Sequence, residues 1–128
     1  MKQVRRQDTA PEMAVRRFLH RAGLRYRLHA RQLPGRPDLV LASAQTVVFV
    51  HGCFWHGHDC AHGAVAARRN AAYWTAKIAE NQARDARQRA ALEAAGWQVE
   101  WVWECTVDDP EQLQALVQRL LARRAQGR

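Results

Sequence analysis

The sequence predicts an α/β domain in which helices flank a mixed central sheet, in the order α-β-β-β-α-β-α. Two observations predict this order. Short apolar or alternating segments, typical of strands, recur along the chain between segments with helical spacing. The length of 128 residues also fits one compact domain. We therefore expect a single domain over 1–128, with a short N-terminal arm at 1–8 and a frayed tail at 122–128.

The first helix is predicted from its capping signals. Thr9-Ala10-Pro11-Glu12 has the form of a capping box with a first-turn proline. Val15 and Leu19 follow at helical spacing, and Gly23 offers the stop. For Glu12 itself, a capping role is the interpretation that the residues alone favour.

Three strands are predicted next. Over residues 24–29, Leu24, Tyr26 and Leu28 alternate with Arg25, Arg27 and His29, as in a half-buried strand. After a Pro/Gly loop at 33–37, the segments 38–41 and 46–50 are strands joined by a short turn. The nearly continuous apolar character of these two strands indicates a central position, buried on both faces.

The second half of the chain predicts a long helix, a strand and a last helix. The long helix runs from about Ala71 to Ala95 and ends at Gly96. Trp97, Val99, Trp101 and Trp103 occupy every second position, as in a strand. Asp109-Pro110 opens the last helix. On the long helix, Trp74, Ile78, Asn81, Asp85, Gln88 and Leu92 share one face. An inward carboxylate at Asp85 needs a partner.

The charge indicates a polyanionic partner. The formal net charge is +8, and arginine supplies nearly all of the basic side chains. No apolar run is long enough to span a membrane, and the first residues carry no apolar signal core. A cytoplasmic protein is therefore expected.

Cysteine and histidine indicate a structural zinc site. Cys53, His58 and Cys60 lie close in sequence, and Cys105 follows the last strand. Three thiolates and an imidazole favour tetrahedral Zn²⁺. On the residues alone, His62 is an alternative fourth ligand, and buried, metal-free cysteines are the competing interpretation.

A second group indicates a hard divalent cation. Asp38 opens a buried strand and His51 closes the next, so the two are expected at one edge of the sheet. His56 follows in the loop that zinc would order. A cation bound by Asp38 would polarise a phosphate, and His56 would take a proton from water. The alternatives are that Asp38 only caps a strand and that the histidines are spare zinc ligands.

These residues stand in strings that closely resemble the Vsr endonucleases, the very-short-patch mismatch repair nucleases. The resemblance covers roughly 5–106. Its motifs are Asp8-Thr9-Ala10-Pro11-Glu12, Leu33-Pro34-Gly35-Arg36-Pro37-Asp38, Val48-Phe49-Val50-His51-Gly52-Cys53-Phe54-Trp55-His56, Trp74 through Lys77-Ile78 to Asn81 and Asp85, Gly96-Trp97 and Val102-Trp103-Glu104-Cys105.

The resemblance implies the restriction-endonuclease-like fold and a Mg²⁺-dependent activity that nicks one DNA strand 5′ to the T of a T:G mismatch. It implies that Asp38 and the backbone carbonyl of Val50 bind the metal. His51 and Asp85 would hold its waters, His56 would be the general base, and Glu12 would support the site. The implied zinc ligands are Cys53, His58, Cys60 and Cys105.

The resemblance also implies that aromatic side chains enter the base stack at the mismatch, at the positions of Phe54, Trp55 and Trp74. For Trp74, a place in the core is the competing interpretation. Lys77 and Asn81 would contact the mismatched bases.

One departure is an N-terminal arm shorter than the family's, which leaves mismatch specificity open. The alternatives are therefore a Vsr-like nicking enzyme of other specificity, in defence or restriction, and a catalytically idle, zinc-stapled DNA-binding module. We expect a monomer, with a link to mismatch-repair proteins or a cytosine methyltransferase.

Overall fold

The computed structural model describes residues 9–53 and 71–126. Within them the helices and strands follow the predicted order, and their bounds, in chain order, are α1 Ala10–Arg21, β1 Arg27–Leu28, β2 Leu39–Leu41, β3 Thr46–His51, α2 Ala71–Ala94, β4 Gln98–Trp103 and α3 Pro110–Gln126. Short 3₁₀ turns at Ala42–Ala44 and Glu104–Thr106 follow β2 and β4. In this part of the chain, no helix is long and apolar enough to cross a membrane.

The four strands form one mixed sheet in the order β1-β2-β3-β4. β1 and β2, and β2 and β3, pair antiparallel, with Leu39 opposite Val48 in the second pair. β3 and β4 pair in parallel, with His51 opposite Trp103. A parallel pair needs a crossover connection, and α2 lies in it.

Both faces of the sheet are buried, as the apolar character of its strands predicts. Leu39, Leu41 and Val48 face a core that they share with α1 and α3. Val40, Val47 and Phe49 face a second core, where Leu92 of α2 packs. Successive side chains of a strand point to opposite faces, so neighbours in sequence enter different cores.

Helix ends follow the predicted signals. The hydroxyl of Thr9 accepts a hydrogen bond from the N–H of Glu12 at 3.3 Å and caps α1. Gly96 (φ +96°) follows α2 in the left-handed conformation that glycine adopts without steric cost. The chain therefore turns into β4 where the sequence indicates.

The structure corrects the predicted first strand. Only Arg27–Leu28 pairs with β2, whereas a strand was predicted over 24–29. Leu24 and Tyr26 pack into the first core without strand pairing, and Leu28 is 42% exposed at the sheet edge. The alternation of apolar and basic residues therefore reflects which side chains are buried, and most of these residues lie outside the strand.

α3 continues to Gln126, through most of the segment from Ala122 for which fraying was predicted. Arg123 contributes to this extension because its guanidinium lies 2.9 Å from the carboxylate of Glu100 on β4. Arg119, one turn earlier, binds the same carboxylate with two hydrogen bonds of 3.0 Å.

Candidate active site

The carboxylate of Asp38 lies between the neighbouring strands, directly before β2. Its Oδ2 accepts a hydrogen bond of 2.7 Å from the N–H of Val50 on β3. On the other side, the N–H of His29 donates to the carbonyl of Asp38 at 3.0 Å. The backbone on either side of β2 therefore fixes Asp38 at the position predicted from the sequence.

The loop before Asp38 packs against α2. Gly35 has φ +76°, and a Cβ at this position would lie 2.6 Å from Oε1 of Gln88 and 3.1 Å from the ring of Phe49. The N–H of Arg36 donates to the carbonyl of Leu33 at 3.0 Å and closes the turn. This close packing fixes the chain that delivers Asp38 to the sheet.

The environment of Asp38 disfavours its ionised form. The pKa of its carboxyl is raised from 3.8 to about 6, chiefly by burial and in smaller part by the negative charge of Glu12. The Val50 N–H and His29 act in the opposite direction. Because a bound cation stabilises a carboxylate, this environment is typical of a metal-binding position.

Glu12 reaches the same place from α1. Its side chain is only 2% exposed, and its Oε2 contacts the guanidinium of Arg16 and Nε2 of His29, the latter at 2.9 Å. The cap formed with Thr9 accounts for the backbone N–H of Glu12, whereas these contacts account for its carboxylate. The backbone N–H of Glu12 therefore takes part in the cap of α1, whereas its carboxylate belongs to the cluster around Asp38.

Sequence reasoning did not identify His29. The predicted strand over 24–29 places His29 among its polar side chains, with Arg25 and Arg27. The structure instead gives His29 a left-handed backbone, φ +48°, and its ring turns back onto Glu12. A histidine just beyond a strand, nine residues before Asp38, was the available signal.

Glu12, His29 and Asp38 together offer ligands for a metal ion. One ligand atom from each lies within 4.8 Å of the other two. Two carboxylates are donors that suit a hard divalent cation such as Mg²⁺. The residues around Asp38 therefore fit the cation that the sequence predicts.

His51 lies in a different environment, at the end of β3. Its ring is packed between aromatic side chains, with centroid distances of 5.8 Å to Phe49, 5.4 Å to Trp101 and 5.0 Å to Trp103. The side chain of Val50 packs on the first core, so His51 points to the face that α2 covers. His51 is next to Val50 in sequence but is not a member of the Glu12–His29–Asp38 group.

Asp85 is buried on α2, as its place in the inward stripe predicts. It is 7% exposed, and its Oδ1 lies 3.5 Å from the guanidinium of Arg84. Four residues on, the guanidinium of Arg89 stacks over the ring of Trp101, whose other neighbour is His51. Asp85 and His51 are therefore on the same side of the sheet.

The first turns of α2 carry residues predicted to bind DNA. Trp74 and Asn81 are half-buried, and Lys77 is exposed. Tyr73, 57% exposed, packs edge-on against the ring of Trp74 at 4.8 Å. Aromatic and basic side chains are thus accessible on one helix end, a combination typical of nucleic-acid contacts.

Two of the four predicted zinc ligands are described. Cys53 is buried just after β3, and its N–H donates to Oε1 of Glu104 at 3.1 Å. Cys105 directly follows Glu104. The two cysteines therefore follow the ends of adjacent parallel strands, at the same end of the sheet.

The remaining predicted site residues lie outside the described part of the chain. They are Phe54, Trp55, His56, His58 and Cys60, together with His62. Their roles remain predictions from the sequence.

The sequence of the chain is similar to those of known DNA endonucleases. A family model described as DNA mismatch endonuclease Vsr matches residues 1–62. The type II nicking enzyme V.XorIIP of Xanthomonas oryzae pv. oryzae is 50% identical over 121 residues, covering 94% of this chain and 88% of that protein. The DNA mismatch endonuclease Vsr of Escherichia coli is 41% identical over 122 residues, covering 94% of this chain and 78% of that enzyme.

Among solved structures, the catalytic domain of the homing endonuclease I-Bth0305I superposes with a TM-score of 0.64. The match covers 91% of this chain and 98% of that domain, at 16% sequence identity. At this identity the likeness concerns the fold alone. It confirms the predicted nuclease fold with a mixed sheet and flanking helices.

Proposed function

The chain belongs to the DNA mismatch endonuclease Vsr family, and on that premise we propose that it nicks one strand of duplex DNA 5′ to the T of a T:G mismatch, using Mg²⁺. As a member of this family it is a DNA endonuclease. The mismatch, the cation and the roles of individual residues are the proposal. The observation that carries it is the cluster of Asp38 and Glu12 beside the backbone of Val50.

Asp38 and the backbone carbonyl of Val50 would hold the cation. The 2.7 Å hydrogen bond between Asp38 and the Val50 N–H supports this, because it fixes the carboxylate against the same residue. When bound, Mg²⁺ supplies positive charge that polarises the scissile phosphate. Glu12, held by Arg16 and His29, supports the position of Asp38 from α1.

Proton transfer would fall to the histidines after β3. His56 is the proposed general base, five residues beyond His51. His51 and Asp85 would orient the water molecules of the site from the face that α2 covers. The tight aromatic packing around His51 supports a fixed ring orientation, which a positioning role requires.

Mismatch selection would come from inserted aromatic side chains. Phe54, Trp55 and Trp74 would enter the stack beside the mismatch, and a mismatched step is cheaper to open than a paired one. Lys77 and Asn81 would contact the mismatched bases. The accessible aromatic pair Tyr73–Trp74 and the exposed Lys77 support this use of α2.

Zinc would hold the loop after β3. The proposed ligands are Cys53, His58, Cys60 and Cys105, a thiolate and imidazole set that suits tetrahedral Zn²⁺. The hydrogen bond between Cys53 and Glu104 supports it, because it joins the two segments that carry the outer ligands.

A second candidate is a nicking enzyme with another sequence specificity, acting beside a restriction system. Relatives at 50% and 40% identity, from Xanthomonas oryzae and Neisseria meningitidis, bear the name type II nicking enzyme. An idle DNA-binding module is less favoured because Asp38, His51, His56 and Asp85 are all present. In either case we propose a monomer, with a cytosine methyltransferase or mismatch-repair proteins as functional partners.

A nicking assay with matched duplexes tests the proposal. Wild type should nick the T:G duplex and spare the paired one in Mg²⁺. Asp38→Ala should lower nicking on the order of a thousand-fold, equal to roughly 4 kcal/mol of barrier, while DNA binding survives through the arginines. The control is Asp108→Ala, which removes an exposed carboxylate. Nicking by Asp38→Ala near the wild-type rate would contradict the metal role, and equal cleavage of both duplexes would favour the second candidate.

A further inference from the structure

We infer that His29 is a protein ligand of the catalytic cation, together with Asp38 and Glu12, and that this ligand set makes the site prefer Mn²⁺ to Mg²⁺. The inference rests on the proposed function, because it concerns the same cation. It assigns a role to a residue that the sequence did not single out.

The distances suit direct coordination. Nε2 of His29 lies 2.9 Å from Oε2 of Glu12. Neighbouring ligand atoms around a six-coordinate ion with bonds of about 2.1 Å are about 3 Å apart. The Asp38 oxygen completes a group whose members are all within 4.8 Å of one another. An ion can therefore replace the shared hydrogen between His29 and Glu12 with little movement of either side chain.

The charges of the cluster also favour a cation. Glu12 and Asp38 bring two carboxylates close together, and Glu12 also contacts the guanidinium of Arg16 and the ring of His29. A bound cation would compensate the negative charge that the two carboxylates concentrate there. Arg16 would then orient Glu12 from outside the ligand shell, as outer partners of metal-binding carboxylates do.

The cluster is open on the side of His29. The His29 side chain is 17% exposed, whereas that of Glu12 is 2% exposed. The left-handed backbone of His29, φ +48°, directs the ring inward from the sheet edge. A hydrated ion can therefore approach the buried Glu12 from the side of His29 and Asp38, which are both partly exposed.

The imidazole decides the selectivity. Mg²⁺ prefers oxygen ligands and keeps several of its waters, so it gains little from a ring nitrogen. Mn²⁺ takes the same carboxylate ligands as Mg²⁺, but it belongs to the first-row transition metals, which bind imidazole increasingly well along their series. Because Mg²⁺ dehydrates reluctantly, Mn²⁺ exchanges a bound water for the His29 imidazole more readily.

The test is metal binding by the purified protein, with His29→Asn as the variant. Asparagine tolerates the left-handed backbone, so the fold should be retained, and a thermal melt checks this. The control is His20→Asn, which removes an exposed imidazole on α1. Mn²⁺ binding is followed by electron paramagnetic resonance, and Mg²⁺ affinity by competition with Mn²⁺.

We expect His29→Asn to weaken Mn²⁺ binding about tenfold or more and to leave Mg²⁺ binding nearly unchanged. Pulsed resonance should detect a directly coordinated ¹⁴N in wild type and in His20→Asn, and lose it in His29→Asn. A nitrogen signal that persists in His29→Asn, or equal losses for the two ions, would overturn the inference.

Asp38→Ala distinguishes a failure of the His29 ligand role from a failure of the proposed cation site. If it abolishes Mn²⁺ binding while His29→Asn has no effect, the proposed cation site stands and His29 is not a ligand. If wild type and Asp38→Ala bind both ions equally, the cation site is elsewhere, and both the inference and the proposed metal role fail.

Discussion

The backbone N–H of Cys53 donates a hydrogen bond of 3.1 Å to the carboxylate of Glu104, across the ends of two parallel strands. β3 and β4 stay in register to their last residues, where His51 pairs with Trp103. The hydrogen bond extends this contact beyond the sheet. The segments that carry Cys53 and Cys105 are thereby held together at one end of the sheet.

We expect one tightly bound zinc per chain, measured by elemental analysis of purified protein. Cys105→Ala should lose the zinc and lower the melting temperature, because metal binding supplies part of the folding free energy of such loops. Glu104→Gln, which keeps all four proposed ligands, is the matched control and should retain zinc. A zinc-free wild type, with Cys105→Ala melting normally, would rule out the site.

Gly35→Ala should destabilise the protein through the packing of the loop before Asp38. The left-handed backbone costs an alanine roughly 1–2 kcal/mol, and the added methyl group meets Gln88 and Phe49. Gly23→Ala is the control because Gly23 has φ +83° and nothing within 4 Å of its Cβ position. Gly35→Ala should lose about 1 kcal/mol more than Gly23→Ala in denaturant unfolding.

A double variant refines this comparison. Gln88→Ala in the Gly35→Ala background should recover part of the excess loss, because it removes the nearest contact. Equal losses for Gly35→Ala and Gly23→Ala would mean that the loop does not press on α2.

The stability of the metal-free protein should fall with rising pH through the titration of Asp38. The pKa of this carboxyl is about 6 in the fold, against an ordinary 3.8, so the folded state holds the proton over a range where the unfolded chain has released it. Its contribution to stability is complete below pH 3.8 and is lost as the pH rises through about 6. Asp38→Asn cannot titrate and should lack this component.

The quantity to measure is the difference in unfolding free energy between wild type and Asp38→Asn from pH 4 to pH 8, without divalent cations. The unfolding free energy of wild type should fall relative to that of Asp38→Asn as the pH rises to about 7, and the difference should then level off. A difference that does not change with pH would show that Asp38 titrates normally.

Trp55→Ala should reduce the preference for a mismatch more than it reduces DNA affinity. Stacking of an aromatic side chain on a base is worth roughly 1–3 kcal/mol, so nicking at T:G should fall by about one to two powers of ten. Nicking of the paired duplex should change less, because phosphate contacts remain. If the ratio of the two rates is unchanged, Trp55 packs within the protein and another side chain opens the stack.

The sequence predicts most of the fold because its segments carry strong local signals. Thr9 and Gly23 bound α1, and the apolar segments 38–41 and 46–50 gave strands buried on both faces. The edge strand was less predictable. Leu24 and Tyr26 are buried in the first core without pairing to a strand. Alternation of apolar and polar residues does not distinguish such packing from a paired strand.

Site residues were predictable where a charged side chain occupies an apolar segment, because burying an unpaired charge costs free energy. Asp38 and Asp85 stood out as carboxylates in apolar surroundings, and both are largely buried. The contact of His29 with Glu12 was not predictable, because it depends on a single left-handed residue and joins side chains 17 residues apart. The resemblance to a family supplied the role of Glu12, which spacing alone assigns to a cap.

The parallel pairing of β3 with β4 requires a much longer chain connection than the hairpin of β2 and β3, so contacts in the first half of the chain can form earlier. The turn at 42–45 closes the β2–β3 hairpin locally, whereas the connection at 52–97 is roughly an order of magnitude longer and costs about 2 kcal/mol more chain entropy to close. Glu12, His29, Asp38 and Val50 all precede that connection. The candidate cation ligands are thus encoded within the low-contact-order part of the chain, and α2 and β4 add the residues that surround them.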